Sequence, residues 1–259
     1  MIYLKNAQQI DCMRRSGALL FEVMNRLREA IVPGMSTAEL DLYAEQLIRK
    51  HGAIPSSLHY EGYPNSICAS VNDTVVHGIP SDQIILKEGD ILSVDVTLLL
   101  DGWQADSAFT VGVGEISPEK RSLINVTEEC FFKGARKALN GNKIGDIGHA
   151  VQTYAESFGY GVIRALTGHG IGRSMHEDPS VPNYGREGHG TRLRPGMTIC
   201  IEPMICTGNY QVNVLDDGWT VKTQDGSPCA HYEHTILINE EGLPELLTCP
   251  GFVLTEEEQ

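Results

Sequence analysis

Leu86-Lys-Glu-Gly-Asp-Ile-Leu-Ser-Val-Asp95 has a counterpart 107 positions later, Leu193-Arg-Pro-Gly-Met-Thr-Ile-Cys-Ile-Glu202. Each segment holds a leucine, a cation, a glycine, an alternating apolar run and a terminal carboxylate. The same offset carries one helical stripe onto another, with Leu40, Ala44, Leu47 and Gly52 falling on Ile147, Val151, Tyr154 and Gly159. Two segments that share one offset predict a duplicated α+β half-unit. Chance similarity between amphipathic helices is the alternative.

The duplication predicts an α+β fold in which the sheets of two halves meet across a pseudo-two-fold axis, with helices outside. We expect one domain over residues 1–259, with half-repeats at about 5–112 and 117–240 and a C-terminal segment at 241–259. Asp95 and Glu202 then occupy equivalent positions. One carboxylate from each half then faces the other, and this arrangement is a candidate cation site.

Periodicity and capping signals place the elements within each half. Apolar residues from Ile10 to Leu27 predict a first helix that ends before Pro33, and Ser36 or Thr37 starts a second helix that ends at Gly52. Ser117 starts another helix that reaches about Leu139. The predicted strands are Ile91–Leu99, Trp103–Val111, Met197–Pro203, Thr220–Thr223 and His231–Ile238.

Composition and charge exclude several classes of protein. A hydrophobic content of 41% over 259 residues is enough for a full core. The net charge of −14 repels phosphate backbones and anionic lipids, so we expect no nucleic-acid specificity and no membrane contact. The chain has no apolar stretch of signal-peptide length at its start and no run of about 18 apolar residues, which predicts a cytoplasmic protein.

The seven cysteines do not form a pattern with a known structural role. They are scattered along the chain, without a Cys-x-x-Cys pair or a close Cys/His cluster. This spacing excludes a zinc finger and a disulfide scaffold.

Asp95 and Asp106 lie on the two arms of a predicted hairpin. A two-residue loop at Leu100-Asp101 sets them directly opposite each other, and a loop at Asp101-Gly102 makes them diagonal neighbours. Both registers put the two carboxylates on one face, whereas a three-residue loop separates them. Like charges among apolar neighbours are unfavourable unless something neutralises them, and a metal ion is the simplest candidate.

Two further acids and one histidine extend this set. Glu202 and Glu233 lie within apolar or β-prone surroundings, and His169 is flanked by glycines that let the backbone approach closely and take unusual dihedral angles. Four carboxylates and one imidazole favour Mn, Fe(II), Co or Mg over a thiolate-bound metal. Four negative charges also match two dications, and a metal pair about 3.5–4 Å apart is a standard hydrolytic device. These residues predict a two-metal hydrolase.

At these residues the chain resembles the methionine aminopeptidases of the short bacterial type I form, over nearly its whole length. The segments that carry the resemblance are Gly62–Cys68, Val76–Pro80, Asp95–Thr97, Gly168–Gly172, Met175–Glu177, Ile201–Met204, Trp219–Thr223 and Tyr232–Thr235. The resemblance implies the duplicated pita-bread fold. It also implies an enzyme that removes the N-terminal methionine from nascent proteins when the second residue is small.

The resemblance assigns roles to particular residues. The implied ligands of two divalent ions (Fe(II), Mn, Co or Zn) are Asp95, Asp106, His169, Glu202 and Glu233. Glu202 is also the implied general base, His176 the group that binds the scissile carbonyl, and His77 the group that contacts the scissile nitrogen. The implied walls of the methionine pocket are Tyr60, Tyr63, Cys68, Met175 and Trp219.

Some family features are altered in this chain. Where the family commonly has Ser-Ala-Gln-Tyr-Glu, the sequence has Cys229-Ala-His-Tyr-Glu233, so a monovalent cation site stays open. Family members are thought to dock on the ribosome through basic loops, but residues 208–218 hold two Asp and no Lys. We therefore expect transient ribosome association or docking elsewhere, by an enzyme that is monomeric like most of the family.

Two alternative functions stay open. Aminopeptidase P and prolidase share the five-ligand core but usually carry an additional N-terminal domain, whereas this chain starts about ninety residues before Asp95. A non-catalytic pita-bread protein acts as a binding module after it has lost ligands, whereas all five ligand residues are present here.

Overall fold

The computed structural model describes residues 1–256, so the last three residues of the predicted segment 241–259 lie outside it. The helices are α1 (Ala7–Ala30), α2 (Thr37–Lys50), α3 (Pro118–Ala135) and α4 (Ile144–Ser157). The strands are β1 (Ile54–Pro55), β2 (Cys68–Val71), β3 (Thr74–Val76), β4 (Ile91–Leu100), β5 (Trp103–Gly112), β6 (Gly161–Val162), β7 (Gly168–Gly170), β8 (Glu177–Val181), β9 (Thr198–Ile201), β10 (Met204–Cys206), β11 (Val212–Val214), β12 (Val221–Thr223), β13 (Cys229–His231), β14 (Glu233–Leu237) and β15 (Glu245–Leu246). Within residues 1–256, no helix is both long enough and apolar enough to span a bilayer.

The strands form one large sheet and two small ones. The large sheet has the order β1-β4-β5-β14-β9-β7-β8, with β2 also beside β4 and β15 beside β14. The small sheets have the orders β13-β10-β6 and β11-β12-β3. Pairing between the named strands is antiparallel throughout, which confirms the predicted α+β class with a central antiparallel sheet.

The centre of the large sheet has the symmetry that the repeat predicts. In the order β4-β5-β14-β9, the contact between β5 and β14 lies at the centre. β4 flanks it on one side and β9 on the other, in equivalent places. Glu233 of β14 pairs with Ala108 of β5 at this contact. The strands that bear Asp95, Asp106 and Glu233 and the strand that Glu202 follows therefore lie side by side.

The offset of 107 also holds for the helices and their caps. Helix α2 begins at Thr37 and ends at Lys50, and α4 begins and ends 107 residues later. Gly52 and Gly159, just beyond the two helices, have φ values of 74° and 75°. Glycine adopts such left-handed angles without strain and ends helices for that reason.

Backbone contacts repeat at the same offset. An isolated bridge joins Ser36 to Ile85, and another joins Lys143 to Arg192. Gly89 and Gly196, which precede β4 and β9, have φ values of 87° and 82°. The duplication is thus a property of the backbone, and chance similarity between helices does not account for it.

The structure of the β4–β5 hairpin shows which of the registers left open by the sequence is formed. Leu100 pairs with Trp103, so Asp101 and Gly102 form the two-residue loop. Their φ values of 52° and 80° are those of a type I′ turn, which matches the twist of the strands. Asp95 pairs with Ala108, and Asp106 with Thr97, which makes the two aspartates diagonal neighbours on one face.

Three predicted elements have different bounds. Helix α3 ends at Ala135 rather than near Leu139. The turns that follow are closed by hydrogen bonds between residues three positions apart instead of four, such as Ala138 N–H to Ala135 C=O at 2.9 Å. The strand predicted at Met197–Pro203 ends at Ile201, and the one predicted at His231–Ile238 is interrupted at Tyr232. The chain leaves the large sheet after β9 and returns to it at β14, and Tyr232 N–H donates to Pro203 C=O where the two crossings meet.

The helices cover the large sheet through apolar clusters. Helices α1 and α2 pack against β4 and β5 through fully buried residues that include Leu20, Leu27, Leu40, Ile48 and Val94. Helices α3 and α4 pack in the second half through Phe131, Ile147, Ile199, Ile201 and Ile236. Each half therefore has its own core beneath the acidic centre.

Asp41 ties helix α2 to the segment that leads into β2. Its side chain, in a residue that is 8% exposed, accepts hydrogen bonds from Asn65 Nδ2 at 2.8 Å, Ser66 N–H at 2.8 Å and Ile67 N–H at 3.0 Å. The two backbone donors are buried, so the carboxylate satisfies groups that water does not reach.

We expect Asp41→Ala to lower the free energy of unfolding by about 1–3 kcal/mol, because two buried N–H groups lose their acceptor. Asp41→Asn, which keeps one acceptor oxygen, should lose less. Urea denaturation of both variants measures the difference. Equal losses in the two variants would contradict the role given to the oxygens.

Candidate metal centre and substrate pocket

The predicted site residues line one cavity of about 500 Å³. Asp95 comes from β4, Asp106 from β5, Glu233 from β14 and His169 from β7, while Glu202 follows β9 directly. The cavity is also lined by His77, His176, Tyr60, Tyr63, Cys68, Met175 and Trp219. The structure therefore brings together all of the residues that the sequence analysis singled out.

The ligand-type atoms lie close to one another at the base of the cavity. Nε2 of His169 is 3.8 Å from Oδ2 of Asp106 and 3.5 Å from Oε1 of Glu202. Donor atoms of Asp106, His169, Glu233 and Cys200 all lie within 4.8 Å of one another. This spacing allows several of these atoms to bind one cation.

The surroundings of the four carboxyl groups disfavour their ionised form. Burial raises the pKa of Asp95, Glu202 and Glu233 well above the usual range, and the negative charge of Asp106 raises each further. Burial also raises the pKa of Asp106, although a hydrogen bond from Thr97 opposes the shift. Such a cluster destabilises the folded protein unless a positive charge offsets the buried negative charges.

Unpaired buried oxygens give an independent indication of a cation. Within residues 1–256, Oδ1 of Asp106 and Oε1 of Glu233 are buried and accept no hydrogen bond. Buried carboxylate oxygens normally have a partner, because leaving one unpaired is costly. Hard oxygen donors and one imidazole fit a divalent metal ion.

His169 has the protonation state of a metal ligand. Its Nδ1 donates to the carbonyl of Gly170 at 2.9 Å, which leaves the Nε2 lone pair facing the carboxylates. Burial lowers the pKa of His169 to about 4, so the ring is neutral near pH 7. The hydrogen bond therefore orients the imidazole and fixes its tautomer.

The glycines around His169 serve close packing. A Cβ on Gly168 would lie 2.3 Å from the carbonyl oxygen of Cys200, and one on Gly170 would lie 2.1 Å from that of Asp178. Both glycines have ordinary φ values, so the unusual dihedral angles that the sequence suggested are not present. The strands beside β7 leave no room for side chains there.

His176 and His77 stand on the wall of the cavity. Nδ1 of His176 lies 2.8 Å from the hydroxyl of Tyr60, and its ring centroid is 4.4 Å from that of His169. Burial lowers the pKa of both His176 and His77, which keeps them neutral near pH 7. When Tyr60 donates to Nδ1, the Nε2–H of His176 is left as a donor.

Aromatic and sulfur-containing side chains form the apolar part of the cavity. The rings of Tyr63 and Trp219 meet edge to face at 5.2 Å, and Cys68 and Met175 are buried beside the cavity. The Tyr63 hydroxyl donates to the carbonyls of Ile67 and Gly78, so its polar end is satisfied inside the protein. The pocket suits a long, polarizable, uncharged side chain.

Two residues near the predicted metal ligands were not singled out as site residues from the sequence. His231 places Nε2 3.9 Å from both Glu202 and Glu233, and Cys200 lies within the ligand cluster. Each stands two positions before one of the glutamates, and within the strands predicted at Met197–Pro203 and His231–Ile238 such residues share a face. That spacing is the signal that would have found them.

Comparison with known proteins agrees with this site. Residues 11–240 match metallopeptidase family M24. The chain is 53% identical to the methionine aminopeptidase of Clostridium acetobutylicum over 96% of this chain and 99% of the relative. A crystal structure of methionine aminopeptidase from Rickettsia prowazekii superposes with a TM-score of 0.94 at 43% identity, covering 96% of this chain and all of that one.

A more distant likeness concerns the fold alone. Prolidase from Pyrococcus furiosus superposes with a TM-score of 0.77 at 21% identity, and the match covers 95% of this chain and 65% of that chain. Together these structures confirm the predicted pita-bread fold. Family membership also confirms a metal-dependent peptidase, and the buried ligand cluster agrees with the use of a divalent metal. The chain belongs to metallopeptidase family M24, among its methionine aminopeptidases.

Proposed function

We propose that this chain hydrolyses the bond after the N-terminal methionine of nascent polypeptides whose second residue is small. The observation that carries the proposal is that the buried acidic cluster opens directly into the pocket lined by Tyr63, Cys68, Met175 and Trp219. The relative from Clostridium acetobutylicum bears the name of this activity at 53% identity.

Five residues are proposed to hold two divalent ions, Fe(II), Mn, Co or Zn. They are Asp95, Asp106, His169, Glu202 and Glu233. Two dications balance the four carboxylate charges. Bound metal would supply a water of lowered pKa and polarise the scissile carbonyl.

Glu202 is proposed as the general base. It borders the cavity, its side chain is 13% exposed, and Oε1 and Oε2 face His169 and His231 respectively. A carboxylate at this border between the acidic cluster and the pocket is placed to take a proton from the attacking water.

His176 is proposed to bind the scissile carbonyl oxygen, and His77 to contact the nitrogen of the leaving amine. Tyr60 at Nδ1 leaves Nε2–H of His176 to donate to the oxygen as negative charge develops on it. His77 has a φ of 56°, an uncommon angle for a residue with a side chain, and it lies 6.1 Å from Trp219 between ring centroids.

We also propose a cytoplasmic monomer with one domain over 1–259 and half-repeats at about 5–112 and 117–240. Free cysteines at all seven positions support a reducing compartment, and the offset of 107 supports the half-repeats. Contact with the ribosome is proposed to be transient. A monovalent cation near Cys229 is part of the same proposal.

The function is tested with three peptides and a chelator. We expect metal-dependent release of methionine from Met-Ala-Ser, at least tenfold slower cleavage of Met-Leu-Ser, and loss of activity after treatment with EDTA that added Mn²⁺ or Co²⁺ restores. Liquid chromatography of the products measures all three. Preferential cleavage of Ala-Pro-Phe would indicate a prolyl peptidase, and no cleavage of any peptide would indicate a binding module.

Replacing His176 tests its role separately from metal binding. We expect His176→Ala to lower kcat on Met-Ala-Ser by roughly 10²- to 10³-fold, because the oxyanion loses its donor, while the bound metal content stays the same. Tyr60→Phe, which removes only the hydroxyl that orients the ring, should lower kcat by less. Loss of metal from His176→Ala would contradict the assigned role.

A further inference from the structure

A buried ion pair connects the segment before α1 to the loop that bears His176. Lys5 Nζ lies 2.7 Å from Oε2 of Glu177, and the two side chains are only 4% and 9% exposed. Glu177 is the first residue of β8 and follows His176 directly. The pair therefore joins two parts of the chain that are 172 positions apart in sequence.

The other carboxylate oxygen of Glu177 closes the loop between β7 and β8. Oε1 accepts hydrogen bonds from the N–H groups of Arg173 at 2.9 Å and Ser174 at 3.3 Å. One carboxylate therefore holds both the start of this loop and the side chain of Lys5. The residues between these contacts are Met175 and His176, which both line the cavity.

The backbone leaves room for this ion pair. A Cβ on Gly172 would lie 2.6 Å from Oε1 of Glu177 and 2.6 Å from Cε of Lys5. Lys5 itself is fixed at its backbone, where its N–H donates to the carbonyl of Gly196 at 2.8 Å. Gly196 N–H in turn donates to Ile238 beside the end of β14. The lysine is thus anchored to the frame of the large sheet.

From these contacts we infer that Lys5 is a positioning residue for His176: it ties the loop 171–177 to the sheet through Glu177 and so sets where His176 stands against the substrate. The inference rests on the proposed role of His176. A displacement of about 1 Å in such a group can lower a rate by about 100-fold. The nearest interactions of His176, with Tyr60 and His169, do not connect it to the segment that contains Lys5.

Lys5→Met tests the tie directly. We expect kcat on Met-Ala-Ser to fall by about 10- to 100-fold, KM to change by less than about threefold, and Mn²⁺ binding measured by calorimetry to stay unchanged, because no proposed metal ligand lies in the loop. Lys5→Arg, which keeps the charge, should recover much of the lost kcat. Hydrogen exchange of the amides of Arg173 and Ser174 should be faster in Lys5→Met.

The double variant Lys5→Met/Glu177→Gln separates positioning from the penalty of an unpaired buried charge. It removes both charges and keeps an acceptor for the two loop amides, so it should fold even where Lys5→Met does not. We expect its kcat to stay low. Wild-type kcat in the double variant, or wild-type kcat and amide protection in Lys5→Met, would overturn the inference.

Arg14→Met is the matched control. It breaks another ion pair of the N-terminal region, with Glu245 at 2.7 Å, far along the chain from the loop. Its kcat should stay within twofold of the wild type. If the wild-type chain itself fails to cleave Met-Ala-Ser, the proposed function fails, while the amide-exchange comparison still reports whether Lys5 holds the loop.

Discussion

Four carboxylates share the buried middle of one antiparallel sheet, and this concentration of negative charge is the constraint on which the rest of the structure depends. Asp106 and Glu233 are 4% and 2% exposed, and each has an oxygen that lacks a protein donor within residues 1–256. Such a cluster holds together only with a positive charge and a rigid frame. Three of the four acids therefore stand within strands, and the fourth follows a strand directly.

Much of this arrangement could be predicted from sequence because the constraints are local or periodic. The offset of 107 reappears in helix ends, bridges and glycine angles. Both two-residue loops considered for the β4–β5 hairpin put Asp95 and Asp106 on one face, and the structure has the one at Asp101-Gly102. The pairing of β5 with β14 joins residues more than a hundred positions apart, and neither turn chemistry nor periodicity specifies such a contact.

Other features depend on tertiary packing. The chain changes sheets at Pro203 and Tyr232, so two runs that look like continuous strands are each interrupted. The glycines beside His169 are required by carbonyl groups of neighbouring strands, and no local pattern distinguishes that reason from an unusual dihedral angle. Lys5 looks like an ordinary surface cation in the sequence, and only the fold shows that it is buried against Glu177.

The two changes of sheet also show where the two halves differ. Eleven positions separate Asp95 from Asp106, but thirty-one separate Glu202 from Glu233. The twenty additional residues belong to the segment between β9 and β14 that leaves the large sheet. This segment includes β10 to β13 and carries Trp219 to the cavity. The acidic frame is common to both halves, whereas this wall of the pocket belongs to one. Changes in the length and composition of this segment can therefore alter substrate preference while the strands that bear the acids stay unchanged.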